Sequence, residues 1–407
     1  MRAWREWGRA RWAASPFGRI GRNYTLGVVN GWLTALGDAF YNPTIVLATF
    51  ATLLGAPGPV VGLLPALVLS GWLIPQGFLA PWVARLPQKI VLYRGVALFR
   101  LLGLVTVTLA TFLLGGNPQL LLGIFLVGLT LNALANGVSG LPFMEVVSKT
   151  IPARERAPFF GTRNLGGGFL GLLAGLAIAR YLELPFPMGY GLAFGSGLVS
   201  YGLGWFLFGL VHEPAEVIKA EKVPILLPLR DPLFRQAVLA RAVLSLGGMV
   251  EPFYAAYAVK TFAVSGATGN YLAVYLLAFT VSNLLWIRIA MRYGSRALLA
   301  IAGIVGALVP WLALNASATW FVLVFLLQGA YYAAMFMGTQ NYALSIAPSE
   351  YRSAYIGLFN TILGITSFAP VLGGFVVEAW GYPVLFGLAS VFYVVGFVLV
   401  RRLPLPG

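Results

Sequence analysis

The sequence predicts an all-α integral membrane protein of twelve transmembrane helices, arranged as two parallel six-helix repeats. Three observations carry this. Apolar residues come in continuous blocks of bilayer length, basic residues gather between alternate blocks, and two loop sequences of the first half recur in the second.

Of 407 residues, 59% are hydrophobic and 10% charged, a bilayer composition. A crossing of the hydrocarbon core takes roughly 20 apolar residues, and only helices satisfy their own backbone groups there. In chain order the blocks predict spans at about 25 to 51, 58 to 80, 91 to 114, 119 to 145, 160 to 180 and 189 to 211. They continue at about 238 to 262, 271 to 291, 297 to 315, 320 to 344, 353 to 378 and 383 to 400.

The formal net charge of +15 follows the same plan, so no nucleic-acid partner is needed to explain it. Arg2 to Arg22, Arg85/Lys89/Arg94, Lys149/Arg154/Arg156, Lys219/Lys222/Arg230/Arg235, Arg292/Arg296, Arg352 and Arg401/Arg402 fall between alternate spans. The other connections carry almost none, with Arg180 and Lys260 near that side. The positive-inside rule therefore places both termini in the cytoplasm and requires an even number of spans.

Residues 1 to 22 lack the apolar core of a signal peptide. Trp4, Trp7 and Trp12 among arginines predict an interfacial cytoplasmic leader. Residues 23 to 211 form the first half, 212 to 236 a Pro-containing cytoplasmic linker, and 237 to 407 the second half. There is no cysteine, which excludes disulfides, thiol nucleophiles and thiolate metal sites.

The repeat is direct. Pro152-Ala-Arg-Glu-Arg156-Ala-Pro-Phe-Phe-Gly161-Thr-Arg-Asn164 returns as Pro348-Ser-Glu-Tyr-Arg352-Ser-Ala-Tyr-Ile-Gly357-Leu-Phe-Asn360, with Pro, Arg, Gly and Asn at one offset of 196. Ala84-Arg85-Leu-Pro-Gln-Lys89 returns as Met291-Arg292-Tyr-Gly-Ser-Arg296 at an offset of 207. Both pairs lie on the basic side, so the halves are parallel.

At these residues the chain resembles the major facilitator superfamily. That family carries a loop motif G-x-L-x-D-R-x-G-R-R after its second helix and usually again after its eighth. Here the copies run from Ala80 to Lys89 and from Ile287 to Arg296. The basic residues are kept, but the acid is Ala84 in one copy and Met291 in the other. The resemblance implies the major facilitator fold and transmembrane transport by alternating access, while the missing acids weaken the family's charge-relay gate here. The gating-loop candidates are Arg85, Lys89, Glu145, Arg156, Arg292, Arg296 and Arg352.

Ionisable groups inside a span are functional candidates by default. Asp38 sits mid-way along span one and Glu251 mid-way along span seven, just before Pro252. Asn42-Pro43 lies opposite Glu251-Pro252 at an offset of 209. The resemblance implies that these two helices face a central cavity, with the prolines allowing local bending. The carboxyls then bind a proton, a cation or a basic substrate group, or else they are tied to a neighbouring polar group and take no part.

Arg100, inside span three, needs a partner, and Asp38 and Glu145 are the candidates. An anion-binding role is the alternative, and Glu145 has Arg156 and Arg163 as other options. Asn132, Asn136 and Ser139 recur at helical spacing in span four, as do Gln328, Tyr331, Tyr332 and Met335 in span ten, with Tyr254 and Tyr257 following Glu251. They line a cavity or serve as interhelical contacts.

Gly167, Gly171 and Gly175 are spaced for close helix packing. Ala369-Pro370-Val-Leu-Gly373-Gly374 is similar to the G-P-x-x-G-G element of the family's drug/proton antiporters, but that element belongs to their fifth helix and this one is in the eleventh.

His212, the one histidine, stands at a helix end beside Glu213 and is expected to be solvated. No phosphate-binding loop is present in the sequence. The resulting expectation is a non-enzymatic transporter of a small organic solute in the cytoplasmic (inner) membrane, with a proton as candidate co-substrate and lipid as surroundings. It is expected to be monomeric, without cofactor or metal. The second expectation is a transporter-like receptor, scaffold or membrane enzyme.

Overall fold

The computed structural model describes residues 21–215, 226–262, 267–348 and 351–404. The tryptophans of the predicted leader and residues 216–225 of the predicted linker lie outside the described residues.

Span one consists of α1 (Gly21–Phe40), a π-helical turn (Pro43–Leu47) and α2 (Ala48–Leu53). The sequence predicts one continuous helix there. The break arises because Pro43 offers no N–H to the preceding turn, and Asn42 restarts the helix as its cap. Its Oδ1 accepts from the Thr44 and Ile45 amides at 3.2 and 2.9 Å. Spans two to six are α3 (Gly58–Ala84), α4 (Lys89–Leu113), α5 (Pro118–Thr150), α6 (Ala153–Tyr181) and α7 (Met188–Gly209).

Span seven is α8 (Pro232–Gly247), a 3-10 turn (Gly248–Val250) and α9 (Glu251–Phe262). It starts earlier than predicted, inside the expected linker, because the Asp231 side chain caps the Leu233 amide at 2.8 Å and Pro232 fits the first helical turn. Spans eight and nine form α10 (Thr268–Asn315), which doubles back at Gly294, and span ten is α11 (Val322–Ile346). Span eleven is α12 (Arg352–Thr366) and the start of α13 (Ala369–Arg402), and span twelve is the rest of α13 beyond Gly381. Gly294 and Gly381 have φ of 77° and 82°, a left-handed conformation that lets the chain reverse with almost no loop.

Eight helices among the described residues are long and apolar enough to cross a bilayer. Two of these are doubled at Gly294 and Gly381, and the broken span one and the glycine-rich α6 bring the crossings to twelve.

The repeat extends into packing. Tyr24 meets Phe159 edge-on at 5.4 Å in the first half, and Phe234 meets Tyr355 edge-on at 5.2 Å in the second. Phe159 and Tyr355 are separated by the loop offset of 196. A third repeat becomes visible once spans six and twelve are recognised as equivalent. Gly189, Tyr190, Phe194, Gly195, Tyr201 and Gly204 correspond to Gly381, Tyr382, Phe386, Gly387, Tyr393 and Gly396 at one offset of 192.

The two halves meet along two glycine-lined seams. In the first, a Cβ added to Gly62 of α3 would stand 2.0 Å from the Pro370 carbonyl oxygen, and one on Gly58 would stand 2.6 Å from that of Gly374. In the second, a Cβ on Gly175 of α6 would stand 2.9 Å from Ala273 Cβ, and one on Gly269 would stand 2.1 Å from the Ala179 nitrogen. These approaches lie toward the face away from the basic loops. The Ala-Pro-x-x-Gly-Gly element is thus one wall of a seam, and the predicted glycine stripe of span five supplies the other seam through Gly171 and Gly175.

Candidate functional site

The carboxyl of span one lies in the last turn of α1, before the Asn42 break. One flank of the helix is covered by α6, where Ala35 meets Gly167, and another by α7, where Gly37 meets the Tyr201 ring. Between these flanks Asp38 is exposed, although it lies within the span. Its Oδ1 accepts a 2.5 Å hydrogen bond from the Tyr201 hydroxyl, a short charge-assisted geometry. Tyr201 stacks on Trp205 at 4.9 Å between centroids.

Arg100 does not pair with Asp38 or Glu145, which corrects the ion pair expected for it. Its guanidinium lies 3.6 Å from the centroid of the Trp205 ring and 5.7 Å from that of Tyr93, and the residue is 4% exposed. Nε and Nη1 have no hydrogen-bond partner among the described residues. A desolvated cation over an indole face is worth about 2 kcal/mol or more, so the aromatic pair takes the place of the missing acid. Asp38, Tyr201, Trp205 and Arg100 form one continuous stack from span one through span six to span three.

Glu145 likewise is not paired with Arg156 or Arg163. Arg156 donates to the Ser148 and Ile151 carbonyls at 2.6 and 3.1 Å. Arg163 donates to the Gly27 carbonyl and to Asn30 Oδ1, and lies over the Phe143 ring at 4.9 Å.

The second half builds a different arrangement around its acid. Glu251 opens α9 directly after the 3-10 turn and is half-buried. Its carboxyl interacts with the Tyr331 hydroxyl and the Arg241 charge. Tyr393, the repeat equivalent of Tyr201, donates to the Tyr331 hydroxyl at 3.1 Å. Arg241, which the sequence reading passed over, donates from Nε to Thr339 Oγ1 at 2.9 Å and from Nη1 to Ser245 Oγ. Tyr332 is exposed beside Tyr275 and Phe279.

Several candidates are engaged in packing. Asn42 is the cap described above. Asn132 donates to the Arg100 carbonyl at 3.2 Å and ties span four to span three. Ser139 bonds back to the Asn136 carbonyl. Tyr254 and Tyr257 belong to an aromatic cluster with Phe386, Phe321 and Tyr382. Asn136 Oδ1 and Gln328 Oε1 are buried without a partner among the described residues.

On the basic face, Glu213 at the end of span six collects the ends of spans three and four. Its carboxylate accepts from the Ile90 amide at 2.7 Å and from Lys149 Nζ at 3.0 Å, while its carbonyl accepts from Gln88. Glu213 and Lys149 are almost fully buried. Lys89 is buried rather than an open loop residue, and its Nζ lies among Lys149, Glu145 and Glu213 with no hydrogen-bond partner among the described residues. His212 next to it is exposed and is joined through its backbone to Asn23 at both ends. Sequence reasoning missed Glu213 because one acid in a mixed-charge segment has no periodicity. Its position at the end of span six, before Pro214, was the available signal.

In the second half, Arg296 donates to the Leu403 carbonyl at 2.6 Å, while Arg292 lies over its neighbour Tyr293. Arg85 is exposed.

With this geometry in hand, the relationship to known proteins is clear. The family model described as Major Facilitator Superfamily matches residues 242–407. Beyond that match, most of the chain shares its fold with solved transporter structures. A variant of the nucleoside transporter NupG superposes with a TM-score of 0.73 at 14% identity, over 94% of this chain and 99% of that one. A bacterial homologue of the iron transporter ferroportin in its inward-facing state gives 0.69 at 17% identity, over 94% and 98%. The xylose transporter XylE from E. coli, partially occluded and inward open, gives 0.69 at 14%, over 95% and 98%. No curated protein matches the sequence. The chain is a multi-pass integral membrane protein that shares the helical fold of these transporters.

Proposed function

We propose that the protein carries a small organic solute across the membrane by alternating access, as a secondary or facilitative transporter rather than an enzyme. The observation that carries this reading is the pair of acids at helix breaks in equivalent spans. Asp38 is exposed inside span one and Glu251 is half-buried inside span seven, and both stand next to backbone that is not plain α-helix. Irregular backbone at membrane depth is tolerated where it lines a cavity, and transporter sites form at such interruptions.

Asp38, Glu251 and the exposed Tyr332 then face the solute path, with a proton as the co-substrate we favour. Asn42 restarts the span that carries Asp38, while Arg100 and Asn132 join spans three, four and six behind it. The basic face, with Arg85, Arg292, Arg401 and Arg402, is cytoplasmic in this reading by the positive-inside rule, which supports cytoplasmic termini; the proposal is of a monomer in the cytoplasmic membrane. The glycine seams close the opposite face, which supports a conformation shut on that side. Consistent with that, the ferroportin homologue fits less well in its outward-facing state, at 0.63.

The test has two stages. Thermal-shift screening of purified protein against a solute library identifies a ligand, because binding to the native state raises apparent stability. Flux of that solute into proteoliposomes is then measured for wild type, Asp38→Asn and Glu251→Gln over a pH range. We expect loss of pH-dependent flux in at least one variant. Wild-type flux and pH response in both would eliminate the proton role, and a ligand that binds without any flux would eliminate transport.

A further inference from the structure

The face opposite the basic loops holds a contact that neither half makes alone. Helix α3 begins after Pro57, which provides no side-chain cap. The first amides of a helix have no partner within it, and the N-terminus carries the positive end of the helix dipole. Here the cap comes from the other half. Glu378 of span eleven accepts the Gly58 N–H on Oε1 at 2.8 Å, across 320 residues of sequence.

One turn before Glu378, Gly374 packs backbone to backbone against Gly58. Glu378, Lys260 and Tyr382 from the second half and Thr52, Pro57 and Gly58 from the first line a cavity of about 250 Å³. Span two and span eleven separate when this face opens, so the capping bond survives only while it is closed.

We propose that Glu378 is a latch that caps the second span in trans and biases the protein toward the conformation closed on this face. This uses the two-half fold but not the identity of any solute. Loss of a helix N-cap costs about 1 kcal/mol, which at 1.4 kcal/mol per tenfold is roughly a fivefold change in the closed-to-open ratio.

Because the chain has no cysteine, spin labels can be placed without background. Gln119→Cys and Ser317→Cys put one exposed label on this face in each half. Electron–electron distance measurements on the purified, detergent-solubilised protein report the separation. Glu378→Ala is expected to raise the ratio of long-distance to short-distance populations about fivefold. Glu378→Gln, which keeps an acceptor oxygen and loses the charge, should give a smaller rise. Glu183→Ala, on the same face but paired within one half to Arg180, should leave the distribution unchanged. An unchanged distribution in both Glu378 variants, or an equal shift with Glu183→Ala, would overturn the latch. Since no solute is added, the result stands apart from whether transport is demonstrated.

Discussion

At the scale of single residues, the membrane makes each polar side chain find a specific partner, and Arg100 shows how unexpected that partner can be. A guanidinium in span three suggests an acid by charge alone, yet the nearest surfaces are the Trp205 and Tyr93 rings. Which face of α7 turns toward α4 decides this, and a uniformly apolar helix does not encode that rotation in its hydropathy. Trp205→Ala removes both packing and the partner of a buried cation, so we expect a loss of about 3–5 kcal/mol of stability. Trp205→Phe keeps an aromatic face and should lose about half as much. Chemical denaturation in detergent checks this, and equal losses in the two variants would mean that ring stacking does not hold Arg100. Tyr201→Phe deletes the 2.5 Å donor to Asp38, a hydrogen bond to a charged group worth about 1.5–3 kcal/mol. Its effect should shrink in an Asp38→Asn background, because the shared interaction is then already lost.

At the scale of elements, proline, glycine and asparagine place the breaks. Asn42 and Pro43 were legible as a break only through their alignment with Glu251 and Pro252, while the continuous apolar block around them read as one helix. The offset of 192 between spans six and twelve was present in the sequence but diluted among aromatic and small residues. Its meaning lies in the acid sites: Tyr201 donates to Asp38, and Tyr393 donates to the Tyr331 hydroxyl that interacts with Glu251. The seams give a sharper expectation. Gly62 cannot accept a methyl group while α3 rests on the Pro370 carbonyl, since the added carbon would be 2.0 Å away. Gly62→Ala should therefore open the face opposite the basic loops. The same labels at 119 and 317 should report a longer mean separation, and an unchanged distance would mean that the seam yields by local bending. Gly195, where an added Cβ would be 3.7 Å from the nearest atom, provides a control in the same fold.

At the scale of the whole molecule, the fold was readable because the bilayer forces every crossing into an apolar block and the repeat supplies the topology. How the halves lean on one another was not readable, since backbone-to-backbone approach leaves only scattered glycines as its trace. The proposed alternating access demands that the seam between spans five and eight part once per cycle, and a covalent tie there should stop the cycle. A Cβ on Gly175 would lie 2.9 Å from that of Ala273. A shift of several tenths of an ångström reaches the roughly 3.5–4.5 Å that a disulfide needs. The pair Gly175→Cys with Ala273→Cys, oxidised in proteoliposomes, should then abolish flux of the identified solute, and reductant should restore it. Flux of each single cysteine under both conditions separates the cross-link from the substitutions themselves, above all for Gly175→Cys, whose Cβ would also meet the Ala273 Cα and nitrogen at 2.8 Å. Full flux with the cross-link quantitatively formed would show that the halves do not separate along this seam. Transport would then have to proceed by bending within the broken spans one and seven, where the non-α backbone already lies beside Asp38 and Glu251.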